Sequence, residues 1–224
     1  MAKIIIFGTG KGAVIATKYF RHDTNHEIVA YTTHKAFVTT DTFNDLPVIA
    51  FEDINDKYPP AEYQLFAPMG YDEMNKFRER IFNEGKSKGY TFATYVHSSV
   101  KTIEPLNIGE NCFILENQSI NLAVKIGNNV TLWSANQIGD RSVIEDHVWI
   151  SSHVCISGDV HIKRYSVLAV NCTISNNVVV EEENFIGAAA LITKSTQPKE
   201  VYVVSPTVKA PFASDRFIKM IRRV

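Results

Sequence analysis

Cysteine is scarce in this chain of 224 residues, with only Cys112, Cys155 and Cys172. Three thiols make no disulfide framework, so a reducing, cytoplasmic home is the expectation. Excess charge is missing as well. The formal net charge is −1, which speaks against a nucleic-acid partner and against an anionic membrane. Long apolar runs are also absent. Ile4-Ile5-Ile6-Phe7 stops at Gly8, too short for the apolar part of a signal peptide, and no stretch reaches the ~20 residues of a membrane-spanning helix. Apolar residues still make up 45% of the chain, enough for full cores in one large or two small domains.

What the chain has is a six-residue beat. From Ile108 to Ile192 every sixth residue is a branched aliphatic, over 14 hexads without an insertion. Four residues after each aliphatic comes a second column, mostly small or β-branched, which includes Cys112, Val130, Ser142, Val154 and Cys172. Two inward positions in six do not fit a helical period of 3.6. They fit a short strand, a corner and the next strand. Three such faces close a coil of 18 residues, and stacked coils make a parallel β-helix, here taken as left-handed. Asn and Gly at the corners would tolerate left-handed backbone. The inward Cys112 and Cys172 read as small core residues.

The 18-residue step also sorts the outward residues. Leu122, Asp140, Gly158 and Asn176 stack in one column. Ala135, His153, Asn171 and Ala189 form another, and Asn111, Asn129, His147, Tyr165 and Glu183 a third. His147, His153 and His161 fall in different columns and no cysteine pair has ligand spacing, so no metal is expected.

The first half alternates strand and helix signals. Lys3–Phe7, Glu27–Tyr31, Leu46–Ala50, Tyr63–Ala67 and Thr91–Val96 read as strands. Helices are predicted from the glycine turn to about Phe20 and from Tyr71 to about Lys86, with Met74, Phe77 and Ile81 on one face. This is the pattern of a small parallel α/β unit of Rossmann type, residues 1–97, followed by the β-helix and tail, 98–224. Gly8-Thr9-Gly10-Lys11-Gly12 joins the first strand to its helix, where backbone N–H groups can hold phosphate. The spacing is GxGxG rather than GxGxxG, and Tyr31-Thr32-Thr33-His34 offers no acid for a ribose. A nicotinamide cofactor is therefore not expected. A nucleotide or nucleotide-sugar contact through Gly8, Gly10, Lys11, Gly12 and Thr32 is, with a purely structural turn as the alternative.

The glycine turn, the unbroken run Ile138–Ile162 and Ile186-Gly187-Ala188-Ala189-Ala190-Leu191-Ile192 together resemble one family. It is the bacterial sugar acyltransferases of the sialic acid O-acetyltransferase type, with the N-acetyltransferases of nucleotide-linked amino sugars such as bacillosamine and perosamine. The resemblance spans the chain. It implies acyl transfer from acetyl-CoA or another acyl-CoA, a nucleotide-linked sugar on the α/β unit, and a homotrimer with active sites between neighbouring β-helices. It implies a product destined for a surface glycan such as lipopolysaccharide or O-antigen. The family's catalytic His, with an acid after it, falls on Asp140 and Arg141, a departure from the pattern. The family's CoA contacts fall on Trp149, Gly158, Val170, Gly187 and Ala188. The terminal Gly-Asn-Pro-Ala-Lys motif becomes Val204-Ser205-Pro206-Thr207-Val208-Lys209, a second departure.

A hydroxyl acceptor needs a base with a pKa near 7, whereas a neutral amine attacks a thioester unaided. Asp140 in place of His therefore points to N-acylation, with Asp140 receiving or relaying the proton. His153 and His147 are the alternative bases, and His97 lies in the junction. O-acylation and a non-catalytic sugar-nucleotide scaffold are the competing readings. Trp133, Trp149 and Phe185 would be exposed apolar area on a monomer, which also favours a trimer.

Overall fold

The computed structural model describes residues 1–100 and 102–222. The first unit is a mostly parallel sheet. Its strands are β1 (Lys3–Phe7), β2 (Glu27–Thr33), β3 (Thr42–Phe43), β4 (Leu46–Ala50) and β5 (Tyr63–Phe66), in the order β3-β4-β2-β1-β5. Only the β3–β4 pair is antiparallel. Helix α1 (Lys11–Asp23) buries Ala13, Ala16 and Phe20 against one face. Helices α2 (Ile54–Lys57) and α3 (Lys76–Ser87) cover the other, through Ile54, Ile81 and Phe82. Central β1, with Ile4, Ile5, Ile6 and Phe7 all buried, reads as the continuous apolar run of a strand covered on both faces.

The helix predicted from Tyr71 begins only at Lys76. Glu73, Met74 and Asn75 instead hold φ values of 53°, 51° and 65°. Three consecutive left-handed residues without glycine cost roughly 1–2 kcal/mol each. Tertiary contact holds them there. Asn75 is fully buried and its Nδ2 donates to the carbonyl of Tyr165, 3.2 Å away on the second unit.

The second unit is a three-faced prism. Its rungs are two residues long and pair in register with the rung 18 residues on, as Lys125 does with Val143 and Thr131 with Trp149. The three parallel sheets have 5, 7 and 5 strands, which fits a left-handed parallel β-helix. The aliphatics from Ile114 to Ile192 and the small column between them form one continuous core. The predicted closing strand of the first unit is shared. Phe92 bridges to Leu65 of β5, while Tyr95–Val96 pair with Phe113–Ile114 of the prism.

Every corner turns on one left-handed residue. Fourteen of them, six apart from Asn111 to Ala189, have φ between 55° and 64°. Contrary to expectation none is glycine. Their strain is offset because ten of their amides bond to a carbonyl of the coil below, as His147 N–H does to the Asn128 carbonyl at 2.9 Å. The glycines serve close stacking instead. A Cβ on Gly127 would lie 2.3 Å from Asp146 Oδ1 and 2.7 Å from its amide nitrogen.

The two units share a core. Phe20 and Phe66 of the first pack with Tyr95, Phe113 and Leu115 of the prism. The seven-stranded face is the one that the first unit covers. This docking decides what becomes of the candidate residues.

Candidate active site

The glycine turn works through its backbone. Gly8 has φ +96°, a conformation that disfavours any Cβ. Its N–H donates to the Thr32 carbonyl at 2.7 Å. Gly12 is forced by proximity, since a Cβ there would lie 2.2 Å from the Pro68 carbonyl oxygen. Gly10 has open space around it. It precedes α1, whose first turn has no side-chain cap and no acid. The free N–H groups and the positive end of the helix dipole therefore face outward beside Lys11, an arrangement that favours an anion. Thr32 takes no direct part. It is fully buried and its hydroxyl donates to the Ile49 carbonyl at 2.9 Å.

The turn opens onto a pocket of about 200 Å³ between α1, the loop Pro68-Met69-Gly70 and the prism face carrying Thr131, Trp133 and Trp149. Among the described residues no carboxylate lines it. The two indoles lie 6.0 Å apart, inclined at 50°, and Tyr71 meets Trp149 edge-on at 5.2 Å. Trp133 Nε1 is buried and has no partner among the described residues. Behind the wall lies Arg78, 1% exposed and, among the described residues, without an acidic partner. Its Nη1 donates to Thr131 Oγ1 at 2.9 Å, its guanidinium lies 5.8 Å from the Trp149 ring, and Nε and Nη2 have no partner. Burial pushes its pKa down to about 9, so the group remains cationic at neutral pH. With the Thr131 oxygen occupied by Arg78, its proton is free for the pocket. A second, more apolar lobe of about 440 Å³ shares Ile15 and Trp133 and extends to Tyr19, His22 and His97. His97 Nδ1 lies 2.9 Å from Ser99 Oγ.

Trp149, expected as a CoA contact, thus belongs with the glycine turn. Phe185 lies on the same face and pairs with Val201 of the last rung. The exposed tryptophans expected of a monomer are instead half-covered by the first unit.

Asp140 and Gly158 do come together. Both line a polar depression of about 400 Å³ at the edge between the two five-stranded faces, with Ser157 and the exposed Cys155. Asp140 Oδ1 accepts from the Leu122 amide at 3.2 Å. Arg141 and Asp159 line it too, and Arg141 clasps Asp159 through Nε at 2.7 Å. Val170 and Ala188 are exposed on a different edge, the one that bears His153. Gly187 is covered by the last rung, its N–H donating to the Tyr202 carbonyl at 2.7 Å. The predicted acyl-CoA residues therefore divide between two edges of one prism.

His147, expected at an open corner, is 6% exposed beneath α3. It ends a buried ladder. The Ala67 amide donates to Asn111 Oδ1 at 2.8 Å, Asn111 Nδ2 to Asn129 Oδ1 at 2.7 Å, and Asn129 Nδ2 to His147 Nδ1 at 2.9 Å. The Ala67 carbonyl also accepts from Asn111 Nδ2, so the backbone sets the direction of the whole chain of bonds. His147 Nδ1 is therefore an acceptor, and the ring proton sits on Nε2, 3.6 Å from Glu79 Oε1. The ring stacks on Tyr165 at 5.6 Å. Burial lowers its pKa, and Glu79 opposes that only in part. A histidine whose lone pair is already engaged is not a general base for substrate. His153 is the exposed one.

Sequence reasoning missed Arg78, Thr131 and Pro68-Met69-Gly70. The 18-residue step from Trp149 reaches Thr131, and ligands of open parallel sheets lie at the carboxyl ends of strands. Both signals were available. Nothing in the sequence marks Arg78, one of four charged residues in Lys76-Phe77-Arg78-Glu79-Arg80.

No protein-family model matches the chain, and no curated protein sequence is similar to it. Solved structures define a class of architecture, in which an α/β unit precedes a hexapeptide-repeat β-helix. A histidine-to-asparagine variant of perosamine N-acetyltransferase from Caulobacter crescentus, with CoA and GDP-perosamine, superposes with a TM-score of 0.78 at 15% identity, over 90% of this chain and 93% of that one. The acetyltransferase domain of PglB from Neisseria gonorrhoeae with acetyl coenzyme A does so at 0.73 and 15%, over 89% and 94%. WeeI from Acinetobacter baumannii follows at 0.60 and 15%, over 88% and 94%. At these identities the likeness is one of fold.

Proposed function

We propose that this protein is an acyl-CoA-dependent N-acyltransferase acting on the amino group of a nucleotide-linked sugar. The observation that carries the reading is the carboxylate-free pocket at the glycine turn, between an uncapped helix N-terminus with Lys11 and two indole rings. Its donors, the α1 amides, Lys11 and the Thr131 hydroxyl, suit a diphosphate, and the aromatic wall suits a sugar or base. The first unit is then a Rossmann-like nucleotide-sugar domain. Structures of the same fold that were solved with CoA, acetyl coenzyme A and GDP-perosamine support both ligands.

In the reaction the neutral amine attacks the thioester carbonyl and the carbon–sulfur bond breaks. The proton shed by nitrogen passes by way of Asp140 to the departing CoA thiolate. Because Gly158 lies on one edge and Val170 and Ala188 on another, a single chain offers two half-sites. A homotrimer that sets one copy's Asp140 edge against its neighbour's His153 edge completes them. Acetyl is the expected acyl group, and a bacterial surface glycan in a cytoplasmic pathway is the expected destination.

The test is thiol release from acetyl-CoA with UDP-, GDP- and dTDP-linked amino sugars. Release with one donor, giving an amide stable to alkaline hydroxylamine, supports the reading. Silence across donors and acyl chain lengths refutes it, and an ester product moves it to O-acylation.

A further inference from the structure

Helices α1 and α3 each bury an apolar stripe in the body of the protein. Helix α4, Ser214–Ile221, buries nothing. Its Phe217, Ile218, Met220 and Ile221 are 43–53% exposed and lie on one stripe. The other side carries Arg216, Lys219 and Arg222, with Asp215 in the first turn. Among the described residues, no hydrogen bond or ion pair joins positions 205–222 to the rest of the chain.

Charge is segregated along the sequence. Residues 205–224 hold five of the 23 basic side chains and one of the 24 acidic ones, a net +4 against −5 for the remainder. The whole-chain value of −1, which speaks against an anionic membrane, averages over this division.

We propose that α4 is an amphipathic anchor that lays its Phe217–Ile221 stripe into an anionic lipid surface. An apolar stripe flanked by cations is the pattern of helices that lie in the headgroup plane, their apolar side sunk ~5–10 Å. A second copy of the chain is the less suitable occupant. The exposed apolar side chains of the prism make only small patches, Leu122 and Leu191 standing apart and Val170 and Val201 lying near Val203 and Val204 of the last segment. Each cation near an anionic surface is worth about 1 kcal/mol, a factor of about 5 in partitioning. Three of them on α4 should contribute roughly 100-fold.

The test is co-sedimentation of the full chain with vesicles of phosphatidylglycerol and phosphatidylcholine in equal parts, and with phosphatidylcholine alone. The protein should sediment with the first and not with the second. The triple variant Arg216→Gln, Lys219→Gln, Arg222→Gln should lose roughly 100-fold in partitioning. Phe217→Glu with Ile221→Glu should abolish it. Neither variant should change the thermal melt, because α4 has no buried side chain and, among the described residues, no hydrogen bond or ion pair to the body. Wild-type protein left in the supernatant, or equal binding to both vesicles, overturns the proposal. So does a fall in the sedimentation mass of the Phe217→Glu, Ile221→Glu variant, which would give the stripe to a second copy. None of these outcomes depends on the acyltransferase reading.

Discussion

Gly12→Ala gives the most direct test of the nucleotide site. Its new Cβ would stand 2.2 Å from the Pro68 carbonyl oxygen and 3.4 Å from that carbonyl carbon. A comfortable carbon–oxygen contact is about 3.3 Å, so the loop must withdraw by about 1 Å. Pro68, Met69 and Gly70 form one wall of the 200 Å³ pocket, and that wall moves with them. Overpacking of this kind costs roughly 1–3 kcal/mol. Replacing a glycine within a helix returns at most about 0.5–1 kcal/mol, leaving a net loss of roughly 0–2.5 kcal/mol. The functional effect should be larger, because misplacement by about 1 Å can cost 10²-fold in rate. Gly10→Ala is the control. Its Cβ would have nothing within 4 Å, and it gives up at most about 1 kcal/mol of cap preference. Urea unfolding gives the stability difference. Calorimetric titration with UDP, GDP and dTDP gives binding, and thiol release from acetyl-CoA gives turnover. Gly12→Ala with wild-type stability and wild-type nucleotide affinity would refute the close approach and the site built on it. Equal damage from both variants would refute the steric origin.

Three other outcomes are expected. Arg78→Met removes a buried cation without a carboxylate, so the free protein should hold its stability or gain about 1–4 kcal/mol while nucleotide binding weakens. Loss of stability with unchanged binding in titration calorimetry would make Arg78 purely structural. His147 should make the fold acid-sensitive. Its folded pKa lies below the unfolded value of 6.5, so between the two the unfolded chain binds the extra proton. Stability from this group is intact above pH 6.5 and falls as pH drops toward the folded value. Urea midpoints of wild type and His147→Gln, followed from about pH 8 to about pH 5, should converge in acid. Parallel curves would show that His147 titrates normally. Asp140→Asn should lower turnover about 10²-fold or more with little change in the melt. Undiminished turnover would remove Asp140 from the proton path.

The hexads made the prism legible because the information is local. An aliphatic every six residues, a small residue four later and a tolerant corner specify the coil wherever the repeat occurs. The pairing of Asp140 with Gly158 needed only the 18-residue step. The corner chemistry was less legible. Glycine marks where coils stack closely, and Arg141, His147 and Glu183 occupy left-handed corners as Asn129 does. Interstrand hydrogen bonds hold the backbone there whatever the residue's own preference. The start of α3 was misread for a similar reason, since the left-handed turn before it is held by Asn75 on the prism.

By itself, then, the sequence determined the β-helix, the α/β unit before it, the glycine turn and the columns in which outward residues stand, all of which follow from periods and short motifs. Which column is covered was decided by the tertiary structure alone. His147 and His153 occupy equivalent corners six residues apart, yet α3 seals the first beneath it and leaves the second open. Trp149 faces the glycine turn, and Arg78 is buried without a carboxylate, because the first unit docks on one face of three. That choice rests on contacts between distant residues, such as Phe66 with Phe113 and Asn75 with Tyr165, and no period in either half encodes it.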